Sequence, residues 1–251
     1  MIRLRDDVVF DDPESRIREY CEIEVYWGYD DRHSINDVIS KDDVDAANEL
    51  YAMIDRYDKN ESNRLLRRMN SISESLSVLS NVPLYTLNDE EWNNLQGDIR
   101  DLFLKFLLIH GFGLAKTTKI LHLKRPEVFP VLDSLVIKFL LGAQLGFDRN
   151  RDIKLGLNAL DTMRNIILDN LDEFVTLKNS LSDLPIPLTI TRLFDILCWS
   201  TEKWDIQGRL RAPKGIPSVS LLKTKPEKQS KRLVRGTKSR KTSARELRND
   251  P

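Results

Sequence analysis

The sequence contains few cysteines and histidines, the residues that form disulfides and most zinc or iron–sulfur sites. Its 251 residues include two cysteines, Cys21 and Cys198, and three histidines. Two cysteines are too few for a disulfide framework or for the ligand set of an iron–sulfur cluster. The histidines have neither cysteine partners nor the spacing of a zinc motif. The sequence therefore predicts no metal site and no cofactor, and it contains neither a P-loop nor a G-x-S-x-G nucleophile motif.

Long apolar runs are also absent. The longest ones are interrupted by Lys105 and Lys138, and they are shorter than the roughly 20 residues that a membrane-spanning helix needs. The first residues lack the apolar core of a secretory signal. These features predict a cytoplasmic protein that has no membrane partner.

Charge is unevenly distributed, although 39 Lys and Arg balance 39 Asp and Glu over the whole chain. Residues 208–251 carry 14 Lys or Arg against 3 Asp or Glu, which leaves 25 basic and 36 acidic residues in the remainder. A segment that is this basic and this poor in apolar residues predicts disorder and contact with a polyanion. The same tail could instead bind the acidic body or serve solubility alone.

Helical periodicity dominates residues 1–207, which predicts one all-α domain or two closely packed helical lobes. Ser40 with Asp43, and Asn88 or Asp89, have the pattern of helix N-caps. The alternation in CEIEVYWGYD, residues 21–30, predicts a short extended segment instead. Further helices are predicted over 63–79, 116–123, 134–144 and 153–171, and from near residue 189.

The stretch GFGLAKTTKILHLKRPEVFPVLDSLV, residues 111–136, is the most informative part of the sequence. Its two glycines lie between helical runs, which predicts a tight hairpin over 100–123, because glycine readily adopts a positive φ. Unpaired N–H groups at the start of the second helix would form an anion site there. The residues predicted to bind a phosphate are Gly111, Gly113, Leu114, Lys116 and Lys119, with His122, Lys124 and Arg125 following. A plain hairpin with a solvated basic face is the alternative.

Asp133 follows Gly111 by 22 residues, in the sequence FPVLDS. This spacing and the residues around Asp133 resemble the motif of the helix-hairpin-helix DNA glycosylase superfamily, and in particular that of its adenine-specific branch. The resemblance covers about residues 100–140. The body as a whole is also similar to a small prokaryotic family of unknown function. That family shares an RLFDILCW-like final helix, which here covers residues 192–199.

The resemblance implies a glycosylase-like helical fold, with the Asp-bearing helix starting within 129–145, and a DNA-repair protein that binds duplex DNA. Asp133 would be the catalytic carboxylate for release of a damaged or mispaired base, since a carboxylate stabilises the positive charge that develops on the sugar. Bifunctional members carry a lysine at the position of Ala115, so a monofunctional enzyme is implied. Tyr26, Trp27 and Tyr29 are candidates for the pocket of the extruded base, although core packing is favoured for Trp27.

Other functions remain open on the sequence alone. Asp133 could be only the N-cap of the helix that follows it. The fold could also serve a non-catalytic module that binds DNA or a partner, because the lysine is missing and the second acid is unassigned. The candidates for that acid are Glu22, Glu24, Asp30 and Asp31. A helical scaffold without nucleic-acid binding is the third alternative.

Overall fold

The computed structural model describes residues 1–146 and 148–207, with side chains as far as residue 201. This part of the chain is mostly helical, which confirms the predicted class, and none of its helices is both long and apolar enough to cross a bilayer. The predicted disorder of residues 208–251 lies outside the described residues. In chain order the helices are α1 (Pro13–Cys21), α2 (Glu24–Tyr29), α3 (Lys41–Glu49), α4 (Glu61–Arg67), α5 (Met69–Ser77), α6 (Asp89–Leu107), α7 (Leu114–Lys124), α8 (Ser134–Leu141), α9 (Arg149–Asp169), α10 (Leu171–Ser180) and α11 (Ile190–Gln207).

A small antiparallel sheet precedes the helices and was not predicted. It pairs β1 (Ile2–Arg5) with β2 (Val8–Phe10), and alternate residues of β1, such as Leu4, are buried. The Arg3 main chain exchanges two hydrogen bonds with the Asn170 side chain, donating its N–H at 2.9 Å and accepting at its carbonyl at 3.0 Å. These bonds attach the N-terminal hairpin to the end of α9.

Helix α7 lies in the core, and every residue over 117–124 is buried. Two of its basic side chains, Lys116 and Lys124, and Arg125 just after the helix are paired inside the protein, as buried charges require. Lys124 pairs with Asp43 of α3 at 2.7 Å, and Arg125, just after α7, donates to the carbonyl of Leu76 at 2.7 Å. The alternative of a solvated basic face after the hairpin is therefore wrong.

Two predicted helix starts are confirmed in atomic detail. Ser40 and Asp43 form a capping box at the start of α3, and Asn88 forms one with Glu91 at the start of α6. At the other end of a helix, Gly142 terminates α8 with a φ of 61°. Local sequence signals thus identify the two helix starts correctly, whereas α8 ends at Leu141 and not at the predicted residue 144.

Two predictions of local structure are wrong. Residues 21–30, expected to be extended, contain α2, and a 3₁₀ turn follows at Asp30–Arg32. Apolar residues one and four positions apart form one helical face there and are buried: Val25, Tyr26 and Tyr29. The single helix expected over 63–79 is divided into α4 and α5, which part at Arg68.

The turn between α6 and α7 is built around Gly111. Its φ of 90° lies in a region that L side chains rarely adopt, and the carboxylate of Glu61 occupies the space where a Cβ would stand. Gly113, the N-cap of α7, has an extended backbone with a φ of −113° and open space where a side chain would begin. Of these two glycines, only Gly111 is required by the fold itself.

We expect Gly111→Ala to lower the free energy of unfolding by more than about 1 kcal/mol, because alanine is strained at a positive φ and would collide with Glu61. Gly97→Ala is the matched control. Gly97 lies exposed within α6 with open space around it, so alanine should be neutral or stabilising by up to about 1 kcal/mol. Urea denaturation of both variants measures the difference, and equal stabilities would contradict the assignment of strain to Gly111.

Candidate functional site

A cavity of about 490 Å³ lies at the N-terminal end of α8, between α11 and the junction of α1 with α2. Its size falls in the range of small-molecule sites, and its lining combines apolar and aromatic side chains with several charged groups. The lining residues are Tyr20, Glu22, Ile23, Glu24, Val25, Leu50, Tyr51, Lys119, Val131, Asp133, Val136, Arg192, Asp195, Ile196 and Trp199.

Asp133 is the N-cap of α8 and also lines this cavity. Its Oδ1 accepts both capping bonds, from the N–H of Leu135 at 2.9 Å and from the N–H of Val136 at 3.0 Å. No hydrogen bond or ion pair to Oδ2 occurs among the described residues. The predicted capping role is therefore confirmed, and one carboxylate oxygen stays available for other chemistry.

Lys119 is another charged residue of the cavity lining, and it lies deep in the fold. Its side chain is only 7% exposed, and its Nζ makes no hydrogen bond and no ion pair within the described part of the chain. Burial lowers the pKa of Lys119 to about 8, while the carboxylate of Asp133 opposes this shift. A buried amine that faces a cavity does not fit the predicted phosphate contact on the hairpin surface. The structure groups Lys119 with Asp133 instead.

Arg192 forms part of the cavity wall together with two carboxylates. Its guanidinium donates to Asp30 from Nε at 2.7 Å and to Asp195 from Nη1 at 2.6 Å, and it also bonds the hydroxyl of Tyr20. Burial opposes its charge, but the two carboxylates hold the pKa of Arg192 above its usual value. The helical pair of Arg192 with Asp195 that local spacing suggests is present. Asp30, a candidate second acid, is engaged in this cluster and does not line the cavity.

Two buried hydrogen bonds fix the segment that leads to Asp133. Asp195 accepts from the N–H of Val131 at 2.8 Å, and the hydroxyl of Thr118 accepts from the N–H of Leu132 at 3.0 Å. The carboxylate of Asp133 is consequently positioned by α7 and α11 as well as by its own helix.

Apart from Lys119, the residues predicted to bind a phosphate do not line this cavity. Lys116 donates to both carboxylate oxygens of Glu61, at 2.8 and 2.7 Å, so its charge is already balanced inside the protein. The backbone N–H groups of Gly113, Leu114 and Ala115 have no hydrogen-bond partner among the described residues. In the hairpin the groups without an internal partner are therefore main-chain amides, whereas the charge of Lys116 is paired.

The aromatic residues predicted to hold a base have other roles. Tyr26 and Tyr29 are fully buried, and their hydroxyls donate to the carbonyls of Ile186 at 2.8 Å and Lys119 at 2.6 Å. Trp27 is 55% exposed, so the core packing favoured for it is wrong. None of the three lines the cavity. The aromatic side chains that do line it are Tyr20, Tyr51 and Trp199.

Tyr51 is a functional candidate that the sequence pattern did not identify. Its spacing fits the apolar stripe of α3, but that helix ends at Glu49, and Tyr51 follows it with a positive φ of 58°. A positive φ in a bulky residue is uncommon and often marks a functional segment. Tyr51 is largely exposed and lines the cavity, which places it at the mouth.

Comparison with known proteins identifies the family of the chain. Residues 8–202 match DUF6308, a family of unknown function, and the chain belongs to this family. The match extends from β2 into α11 and so includes the hairpin, Asp133 and every residue of the cavity lining. No curated protein and no solved structure matches the chain. The residues of the cavity are thus the basis for a proposed function.

We expect Lys119→Met to raise the free energy of unfolding at pH 7 by roughly 1–3 kcal/mol, because it removes a buried charge and one pKa unit corresponds to about 1.4 kcal/mol. The folded wild type releases the Lys119 proton near pH 8 and the unfolded chain only near its ordinary pKa of 10.5. Wild-type stability contributed by this group therefore rises between these pH values, and the variant should lack that rise.

Denaturation of both proteins at pH 7 and at about pH 9.5 measures this difference. Lys116→Met is the matched control on the same helix. It should destabilise the protein, because it leaves the buried carboxylate of Glu61 without its partner. Loss of stability in Lys119→Met at pH 7 would show that the amine is stabilised by its surroundings.

Proposed function

We propose that this member of the family binds nucleic acid and hydrolyses an N-glycosidic bond, as a monofunctional enzyme of the DNA-glycosylase type. The observation that carries the proposal is the geometry of Asp133, whose Oδ1 takes both capping bonds while Oδ2 is left for a ligand in the cavity. The motif spacing from Gly111 to Asp133 supports the same reaction. Alanine at position 115 supports a mechanism without a Schiff base at that position.

In this mechanism the bond between C1′ of the sugar and the base nitrogen breaks as a water oxygen bonds to C1′. Asp133 stabilises the positive charge that develops on the sugar and accepts the proton that the water loses. The departing base takes its electron pair and needs a proton. Protonated Lys119, with a pKa of about 8, is a group in the cavity suited to donate it, since proton donors work best with a pKa near the working pH.

The aromatic lining supports a planar ligand. Tyr20, Tyr51 and Trp199 offer ring surfaces on which a base extruded from the duplex can stack. Tyr51 at the mouth is the first of these that an entering base would meet. Its side chain is 66% exposed and therefore accessible to a base that enters from solvent.

The same proposal assigns DNA binding to two separate regions. The open amides at the start of α7 suit one phosphate, because an unpaired helix N-terminus attracts an anion. The basic segment 208–251 suits non-specific contact with further phosphates, which weakens as salt increases.

We expect Asp133→Asn to retain the fold and DNA binding but to lose base release by a factor of about 10² or more. Asparagine keeps the capping oxygen and replaces only the free carboxylate oxygen, and it caps a helix nearly as well as aspartate. Base release from a panel of lesion-bearing and mismatched duplexes, followed by alkali cleavage at abasic sites, measures activity. Binding to the same duplexes is measured in parallel.

Equal base release by wild type and Asp133→Asn would refute the catalytic role of Asp133. Salt-sensitive binding without release of any base by the wild type would instead favour a non-catalytic DNA-binding module. The salt bridge between Lys116 and Glu61 lies at the hairpin and not in the cavity lining, so it is compatible with both outcomes.

We expect Gly113→Ser to preserve or increase stability while it weakens DNA binding. Serine is a good N-cap residue, and there is open space at this position, so its hydroxyl can bond the amides that a phosphate would otherwise use. Because the amides carry no net charge, the slope of log K against log salt should change little, and the weaker binding should appear at every salt concentration. Gly97→Ala on the exposed part of α6 is the control that should bind DNA as the wild type does. Unchanged binding by Gly113→Ser would exclude the hairpin amides as a phosphate site.

A further inference from the structure

A second cluster of chemically capable side chains lies behind the cavity. It consists of Asp30 in the 3₁₀ turn after α2, His33 directly after that turn, and His122 on α7. A carboxylate oxygen of Asp30 and one ring nitrogen of each histidine lie within 4.8 Å of one another. The two imidazole rings are 5.1 Å apart between centroids and inclined by 63°.

Both histidines contain a buried nitrogen that lacks a partner. Nε2 of His33 and Nε2 of His122 make no hydrogen bond within the described part of the chain. Leaving such an atom unsatisfied costs about 1–3 kcal/mol, and each case in a native protein calls for an explanation. Two orphaned nitrogens of the same type in one cluster point to a ligand that both can bind.

The hydrogen bonding of His122 favours a cation as that ligand. Its Nδ1 lies 2.6 Å from the carbonyl oxygen of Phe129, which can only accept, so Nδ1 carries the proton. Nε2 of the neutral ring is then a bare lone pair. A metal-bound histidine characteristically donates its other ring N–H to a carbonyl in this way.

We propose that Asp30, His33 and His122 bind a divalent transition-metal ion of the zinc class. Two imidazole nitrogens and one carboxylate oxygen are a ligand set that suits Zn²⁺. Asp30 also accepts three hydrogen bonds, at Oδ2 from the Tyr20 hydroxyl and Arg192 Nη2 and at Oδ1 from Arg192 Nε. Each carboxylate oxygen has two lone pairs, so Oδ1 keeps one for the ion. Asp195 balances part of the positive charge of Arg192 beside the ion.

The position of the cluster assigns the ion a structural role. None of its three ligands lines the cavity, so the ion does not meet the substrate there. It instead ties the turn after α2 to α7. His33 is only half-buried, which provides a route for the ion from solvent.

The test uses Zn²⁺ alone with the full chain carrying no affinity tag. The chain has only three histidines, and the third, His110, lies in the turn between α6 and α7, is 84% exposed and is 3.6 Å from Asp58, outside the cluster. We expect calorimetry to show one Zn²⁺ per chain and a rise in melting temperature with added Zn²⁺. Imidazole nitrogen resonances of His33 and His122 should shift, and those of His110 should not.

His33→Gln removes a ligand at a half-buried position, and His110→Gln is the matched control. We expect the first to weaken Zn²⁺ binding by at least about tenfold, since loss of even an outer-shell partner costs about 10–100-fold, and the second to have no effect. Absence of one-to-one binding by the wild type would overturn the proposal. So would binding that survives His33→Gln or is lost in His110→Gln. The wild-type resonance shifts decide the question even if His33→Gln fails to fold.

Discussion

The guanidinium of Arg192 joins the parts of the chain on which the cavity depends. It bonds Asp30 near the N-terminus and Asp195 in its own helix, and Asp195 in turn accepts the N–H of Val131, two residues before Asp133. One buried charge cluster thus connects the turn after α2, helix α11 and the start of α8. Removing one member of such a pair leaves an uncompensated buried charge, which typically costs about 3–5 kcal/mol. The place of the Asp133 carboxylate is therefore inseparable from the stability of the core.

The rule that buried charges need partners also singles out Lys119. Lys124, on the same helix, pairs with Asp43, and Lys116 pairs with Glu61, whereas the amine of Lys119 has no such bond among the described residues. An unpaired buried amine opposes folding. Proteins retain such groups mainly where they serve a site, which is why perturbed titrating groups in a cavity indicate function. Lys119 and the free oxygen of Asp133 therefore indicate the same functional site, because both lack internal partners and both line the same cavity.

Local signals in the sequence predicted the helix caps well, but they predicted poorly the features that form when distant parts of the chain pack together. The capping boxes of α3 and α6 and the cap at Asp133 are formed by residues at most three positions apart. Helix α2 was missed because six residues are too few to separate a period of 2 from one of 3.6. The cavity brings Tyr20 beside Trp199, and no periodicity connects residues from opposite ends of a chain. Lys119 was identified as a phosphate-binding candidate, with a solvated basic face as the alternative, because nothing in the local pattern shows that α7 is buried.

The two hairpin glycines have different roles: one is required by the fold, and the other matters only for the proposed binding. Gly111 makes room for Glu61, and Glu61 neutralises Lys116, so the charge of that lysine is used within the protein. Gly113 leaves main-chain amides uncovered, and amides carry only partial charges. Such a hairpin can position one phosphate but cannot by itself supply strong, long-range attraction to DNA. In the proposed function that attraction must come from residues 208–251, with 14 basic against 3 acidic residues, while the helical body selects the base.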